Sequence, residues 1–110
     1  MTLHSSRSHL EDVRDVSKGV KPAALVEESV TNVAKGLGLV VEKVPDGTFV
    51  SLSERLAYVV CKDSDACERV LAVLSKYPIG QRGESYHREL GRALGYPKKD
   101  IDYFVRRFLK

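Results

Sequence analysis

The feature that most constrains the fold is a series of three strand-like runs joined by very short links. Residues 39–44, 48–52 and 56–62 are rich in β-branched and other apolar side chains. The first link is the turn Pro45-Asp46-Gly47, in which proline presets φ and glycine accepts a positive φ, and the second link is residues 53–55. Because parallel strands need a crossover of about a dozen residues, we predict a three-stranded antiparallel meander.

Helical patterns flank these strands on both sides. Before them, Pro22 suits a first helical turn, and a helical spacing follows at Val26, Val30, Val33 and Leu37. After them, we predict a helix over residues 65–77 with the capping pair Asp65-x-x-Glu68, a second over 84–94 ended by Gly95, and a third over 97–110. The predicted fold class is therefore α+β, with a small antiparallel sheet of about three strands covered by helices, in the order α-β-β-β-α-α-α.

Residues 1–20 are predicted to form a leader ahead of a single α+β domain at 21–110. Ser8-His-Leu-Glu11 has the spacing of a capping box, and Gly19 is a stop signal. Few apolar residues follow the box, so the leader is either a short helix or weakly structured. The whole chain has 110 residues, which suffices for one core and no second one.

Composition narrows the class of protein. Apolar residues make up 43% of the chain and charged residues 30%, which is typical of a globular protein, and no apolar run reaches the ~18 residues of a membrane span. The chain opens without a secretory signal, so we expect a cytoplasmic protein. Asn32 and Gln81 are the lone side-chain amides among many charges, which is typical of thermophiles. Cys61 and Cys67 fit neither a redox nor a zinc spacing, and we interpret both as small buried apolar residues.

Positive charge and aromatic rings concentrate in the last third of the chain. Residues 77–110 hold eight Lys/Arg, four Asp/Glu and six of the eight aromatic residues. Such a mixture suits a polyanion with stackable bases, and it also suits an ordinary charged surface over an aromatic core.

The last helix sorts these residues onto two faces. At ~100° per residue, one side is apolar and forms the predicted core face, with Ile101, Phe104, Val105, Phe108 and Leu109. The opposite side carries Lys99, Tyr103, Arg106 and Lys110, so a tyrosine would point to solvent between cations. An alternative is that Asp102 pairs with Arg106 and this face is merely solvated.

Catalytic arrangements are missing from the sequence. Cys61 lies in an apolar run, where a thiolate is disfavoured, and His87 is interpreted as a surface histidine. The chain has no zinc-protease, P-loop or dinucleotide-binding motif. We therefore expect a protein without enzymatic activity, cofactor or metal.

One stretch resembles a known family. The segment Tyr86-His-Arg-Glu-Leu-Gly-Arg-Ala-Leu-Gly-Tyr-Pro-Lys-Lys-Asp-Ile-Asp-Tyr-Phe104 has a helix that ends in Leu-Gly-Tyr-Pro and then an amphipathic helix. It resembles the ThermoDBP-related single-stranded-DNA-binding proteins of thermophilic archaea over about half of the chain. The resemblance implies a compact α+β domain that forms homo-oligomers and holds single strands without sequence readout.

A second interpretation is a helix-turn-helix. Gly91, Gly95, Ile101 and Phe104 have its spacing, and Lys98 would then open a recognition helix for duplex DNA. In that arrangement Asp100 and Asp102 would face phosphates, which is unfavourable.

The hypothesis that follows is non-catalytic, sequence-independent binding of single-stranded DNA or RNA by a homo-oligomer, a dimer or tetramer. Tyr86 also fits the buried side of its helix. The candidate phosphate-binding residues are Arg82, Arg88, Arg92, Lys98, Lys99, Arg106, Arg107 and Lys110, and the candidate base-stacking residues are Tyr86, Tyr96 and Tyr103.

Overall fold

A computed structural model describes residues 6–44, 57–77 and 81–108. This part of the chain contains three strands, five α-helices and one 3₁₀ turn, Glu28–Val30. The elements are α1 (Ser6–Ser17), β1 (Ala23–Val26), α2 (Thr31–Gly36), β2 (Val40–Lys43), β3 (Tyr58–Cys61), α3 (Ser64–Lys76), α4 (Glu84–Ala93) and α5 (Lys98–Phe108). The predicted class, α+β with a small antiparallel sheet, is confirmed.

The sheet has the order β1-β3-β2, and both neighbours of β3 run antiparallel to it. The predicted strands at 39–44 and 56–62 correspond to β2 and β3, whereas the predicted strand at 48–52 lies outside the described residues. The third strand is β1, in a segment for which the spacing predicted a helix. For residues 23–26 that prediction was wrong, because all four of them are buried and a strand covered on both faces shows no alternation of polar and apolar residues. The later part of the predicted helix is confirmed as α2.

Helices cover the sheet, as predicted, and they do so on both of its faces. On one face, Ala24, Val26 and Val60 pack with α1 and α2. On the other face, alternate strand residues such as Leu25 and Val59 pack with α3 and α4. The sheet is therefore the middle layer of three, because successive side chains of a strand point to opposite faces.

Of the two alternatives for the leader, the structure has the helix. Val13 and Val16 of α1 are 0% and 1% exposed, and His9 is buried beside them. The Nδ1 atom of His9 accepts a hydrogen bond from the backbone N–H of Glu27 at 3.2 Å, which ties α1 to the end of β1. The helix is followed by Gly19 at φ 79°, the predicted stop.

Two further predictions need correction. Cys61 and Cys67 are buried as expected, but they form a disulfide with Cα atoms 5.5 Å apart instead of two free thiols. The disulfide joins the end of β3 to the first turns of α3. The cap of α3 is Asp63 and not Asp65, because a carboxylate oxygen of Asp63 accepts the backbone N–H of Ala66 at 2.8 Å.

The helices α4 and α5 form a hairpin at one end of this core. Gly91 allows them to approach closely, since a Cβ atom at this position would lie 2.8 Å from Cγ1 of Ile101. Gly95 ends α4 at φ 86° and lies against Pro22, where a side chain would have no space. The hairpin is thus fixed to the domain at its turn.

Candidate functional site

The outward face of α5 carries the predicted cationic stripe. Tyr103 is 56% exposed, and Lys99 and Arg106 are exposed on either side of it, at i−4 and i+3. Within the described residues neither cation has an ion-pair partner, and Asp102 pairs with Arg88 and Lys98, so the alternative in which Asp102 pairs with Arg106 is not observed. The stripe therefore presents unpaired cations and an exposed aromatic ring to solvent.

Two phenylalanines extend this surface, which corrects the predicted core face of α5. Ile101 and Val105 are buried, but Phe104 and Phe108 are 41% and 67% exposed. Their ring centroids lie 5.0 Å apart, and the His87 ring of α4 lies 5.1 Å from that of Phe104. The physical reason is that α5 has mainly α4 beneath it, so only a narrow stripe of the helix is covered.

Tyr96 adds a fourth exposed ring at the turn between the two helices. It is 48% exposed, and Nζ of Lys21 lies 5.5 Å from its ring centroid. Lys21 is fixed in turn by an ion pair with Asp12 at 2.9 Å. Burial is the largest single effect and lowers the pKa of Lys21, but the hydrogen bond to Asp12 and the electrostatic interactions with Asp12, Tyr96 and Asp15 together outweigh it, so its pKa is raised and the cation persists at neutral pH.

An open groove of about 380 Å³ runs between α4 and α5 beneath these rings. Leu90, Gly91, Leu94 and Ile101 line its apolar part, and His87, Tyr96, Asp100 and Phe104 line the remainder. Burial, and secondly the Arg82 guanidinium, lower the pKa of His87, so the histidine ring is neutral at pH 7. The groove is consequently an aromatic and apolar slot with one carboxylate in its wall.

Three of the predicted binding residues are committed to the fold. Tyr86 is 2% exposed and packs edge-on against Tyr77, which leaves no ring face for a base. The Nε atom of Arg82 donates to the backbone oxygen of Tyr77 at 2.8 Å, and its guanidinium lies over the Tyr86 ring. Arg82 therefore closes the end of α3 instead of facing solvent.

Arg88 is the third, and it joins α4 to α5. Its Nε atom lies 2.8 Å from Glu84 and its Nη1 atom 2.6 Å from Asp102. The hydrogen bond from Arg88, followed by that from Lys98, lowers the pKa of Asp102. A guanidinium held by two carboxylates has little positive charge left for a phosphate.

The other predicted residues lie on the exposed surface of the hairpin. Lys98 reaches Asp102 at 3.3 Å, but its side chain is 89% exposed, so this pair is weak. Arg92 and Arg107 are exposed, and the guanidinium of Arg107 lies 6.0 Å from the Phe108 ring. Lys110 lies outside the described residues. The seven predicted residues that are exposed on the hairpin are Arg92, Tyr96, Lys98, Lys99, Tyr103, Arg106 and Arg107.

The helix-turn-helix interpretation has less support in this geometry. Gly95 does sit in the turn with a positive φ, and Ile101 is buried as that motif requires. Phe104, however, is exposed, and Asp100 and Asp102 stand near the start of α5. Carboxylates at the start of a recognition helix would repel the DNA backbone.

Sequence reasoning missed Phe104, Phe108, Lys21 and the groove as parts of the candidate site.

Among residues 6–44, 57–77 and 81–108 no group of three His, Cys, Asp or Glu could hold a metal ion. No helix in the same residues is long and apolar enough to cross a bilayer. Comparison of the chain with family models, curated proteins and solved structures gives no match.

Proposed function

We propose that this chain binds single-stranded DNA or RNA, largely without regard to sequence and without catalysis. The observation that carries the proposal is the surface of α5, where the exposed Tyr103, Phe104 and Phe108 rings alternate with exposed cations. Unpaired bases offer flat faces to such rings, and each stacked base contributes roughly 1–3 kcal/mol. A duplex keeps its bases covered, so the rings favour the single strand.

The cations supply the second part of the proposed affinity. Lys99, Arg106 and Arg107 are exposed on α5, and Arg92 is exposed on α4. Each one that neutralises a phosphate releases condensed counterions, which makes binding weaker as salt is added. Arg82 and Arg88 are left out of this set, because both are engaged within the fold.

The proposed setting is the cytoplasm of a thermophile, in keeping with the resemblance to archaeal proteins. The buried Cys61–Cys67 disulfide restricts this setting to hyperthermophiles, because disulfides otherwise belong mainly to oxidising compartments outside the cytoplasm. A thiol titration of freshly lysed source cells would show protected cysteines if this setting is right. Free thiols would contradict it.

We extend the proposal to a homo-oligomer. Val33 and Leu37 are 44% and 49% exposed, and they lie at α2, which packs on the sheet face away from α4. Self-association there would leave the α5 surface free for nucleic acid. Sedimentation of the wild type and of Val33→Asp tests this, with a monomeric variant expected and an unchanged profile as the contrary result.

The direct test is fluorescence anisotropy with labelled oligo-dT and a random duplex of equal length at two salt concentrations. Preference for oligo-dT that weakens with salt supports the proposal. Preference for the duplex would favour the helix-turn-helix interpretation, and no binding to either at low salt would overturn both.

A matched pair of variants locates the surface. Exchanging Lys99 and Arg106 for Gln should reduce the slope of log K against log salt by about one to two units if both contact phosphate. The control exchanges Lys35 and Lys43, which are exposed on α2 and β2, away from the hairpin. Equal reductions in both pairs would mean that the charge acts only through the net total.

A further inference from the structure

The groove between α4 and α5 has the features of a slot for a single flat ring. Its apolar floor comes from Leu90, Gly91 and Ile101, and the Phe104 and Tyr96 rings stand in its walls. Its volume of about 380 Å³ is within the range of small-molecule sites. Gly91 keeps the helices close, since a Cβ atom there would overlap Ile101. The close packing of α4 and α5 therefore forms the slot and keeps its floor rigid.

Asp100 is the acidic residue among those that line this slot. Asp100 lines the groove and is exposed, and within the described residues it has no ion-pair partner. Asp102, two residues later, is engaged on the other side of α5 by Arg88 and Lys98. An ionised carboxylate can only accept hydrogen bonds, and it offers two oxygens side by side.

Positive charge lies where a strand entering the slot would need it. At ~100° per residue, Arg107 falls within about 20° of Asp100 around α5, two turns further along the helix. This distance along the axis is too long for an ion pair between them, so Arg107 is left to contact a flanking phosphate. Lys21 lies beside the Tyr96 ring, but it is paired with Asp12 and its side chain is only 14% exposed, so Arg107 and not Lys21 is the cation offered to that phosphate.

We propose that this groove holds one unpaired base of the bound strand and that Asp100 selects guanine. Guanine is the base whose pairing edge places two donors next to each other, at N1 and N2, which matches the two oxygens of a carboxylate. Adenine and cytosine set one amino group beside an acceptor nitrogen, and thymine has one N–H between two carbonyl oxygens. The inference rests on the proposed function and adds to it a preference at a single nucleotide.

The test measures the affinity of the protein for labelled 12-mers that differ at one central position in a dT background. The series contains dT, dC, dA, dG and deoxyinosine, which lacks the N2 amino group. We expect dG to bind about fivefold more tightly than dC, dA or dT, and deoxyinosine to fall in between. Equal affinities for all five would overturn the inference while leaving single-strand binding intact.

Asp100→Asn decides whether the carboxylate is responsible. The variant should lose the dG preference, because the amide offers one acceptor oxygen and sets a donor NH2 where the carboxylate has its second acceptor. Glu42→Gln on β2 removes a charge elsewhere and should keep the preference. A dG preference that survives Asp100→Asn would overturn the inference.

The two proposals fail in different ways. If no 12-mer binds to the wild type at low salt, the proposed function is wrong and the slot with it. If every 12-mer binds alike, only the role of Asp100 is wrong. Circular-dichroism melting of both variants checks that folding is retained, and an unfolded Asp100→Asn is replaced by Asp100→Ser, for which the same loss of preference is expected.

Discussion

Helices α1 and α5 are both amphipathic and both lie at the surface, yet they are held in different ways. α1 packs on β1, α2 and β3 and buries Val13 and Val16 completely. α5 packs mainly on α4, buries Ile101 and Val105, and leaves larger aromatic side chains in solvent. Apolar surface is normally covered when a partner element is present, so the exposed rings between cations do not contribute to packing and are the basis of the proposed binding.

The largest expected change in the free energy of unfolding concerns the turn between α4 and α5, because the hairpin packs against the domain there. Gly95→Ala should lower the free energy of unfolding by about 3 kcal/mol, because alanine disfavours the positive φ and its Cβ would overlap Pro22. Gly38 has φ 79° but open space around it, so Gly38→Ala should cost only about 1–2 kcal/mol. Urea denaturation measures both, and equal losses would show that the turn is not packed against Pro22.

The next largest change in stability is expected when a buried residue of α1 is compared with an exposed residue of α5. Val13→Ala removes two buried methyl groups and should cost about 2 kcal/mol of stability. Phe108→Ala removes a much larger side chain that is 67% exposed, and should cost less than about 0.5 kcal/mol. Denaturation curves of the two variants test this contrast. A loss for Phe108→Ala as large as that for Val13→Ala would mean that the ring is covered in solution.

These expectations show which parts of the molecule the sequence could predict. The β2 and β3 strands, the end of α4 at Gly95 and the outward position of Tyr103 all follow from local patterns, because turns, caps and helical spacing are local physics. β1 was mistaken for a helix, since its four buried residues show no alternation. Whether these residues form a strand depends on the helices packed on both faces of the sheet, and those helices come from distant parts of the chain.

The candidate site was predicted in part for the same reason. Helical spacing correctly separated Tyr103 from Ile101, but it assigned Phe104 and Phe108 to the core, because the sequence does not reveal how many neighbours α5 has. The roles of Arg82 and Arg88 depend on carbonyls and carboxylates up to fourteen residues away. The Cys61–Cys67 disulfide likewise depends on how β3 and α3 approach each other.

The smallest expected effect concerns His87, which lies at the boundary between packed and exposed surface. Its pKa is lowered in the folded chain by burial and by Arg82, so the unfolded chain binds the proton first as the pH falls. Its contribution to stability is complete above the ordinary histidine pKa of about 6.5 and decreases below it.

Melting temperatures at pH 7.5 and pH 5.5 test this sign. The wild type should lose more stability on acidification than His87→Gln, in which the ring is replaced by an uncharged amide. An identical loss in both proteins would show that the ring titrates as freely in the folded chain as in the unfolded one.

The central claim is that the exposed rings of α5 contact bases and not only phosphates. It is tested most directly by comparing the affinity for oligo-dT with that for an abasic oligomer of the same length and charge. The account predicts that oligo-dT binds at least about fivefold more tightly, since one stacked base contributes roughly 1–3 kcal/mol, and that Tyr103→Ala narrows the gap. Equal affinity for the two oligomers would contradict it, because the surface would then recognise charge alone.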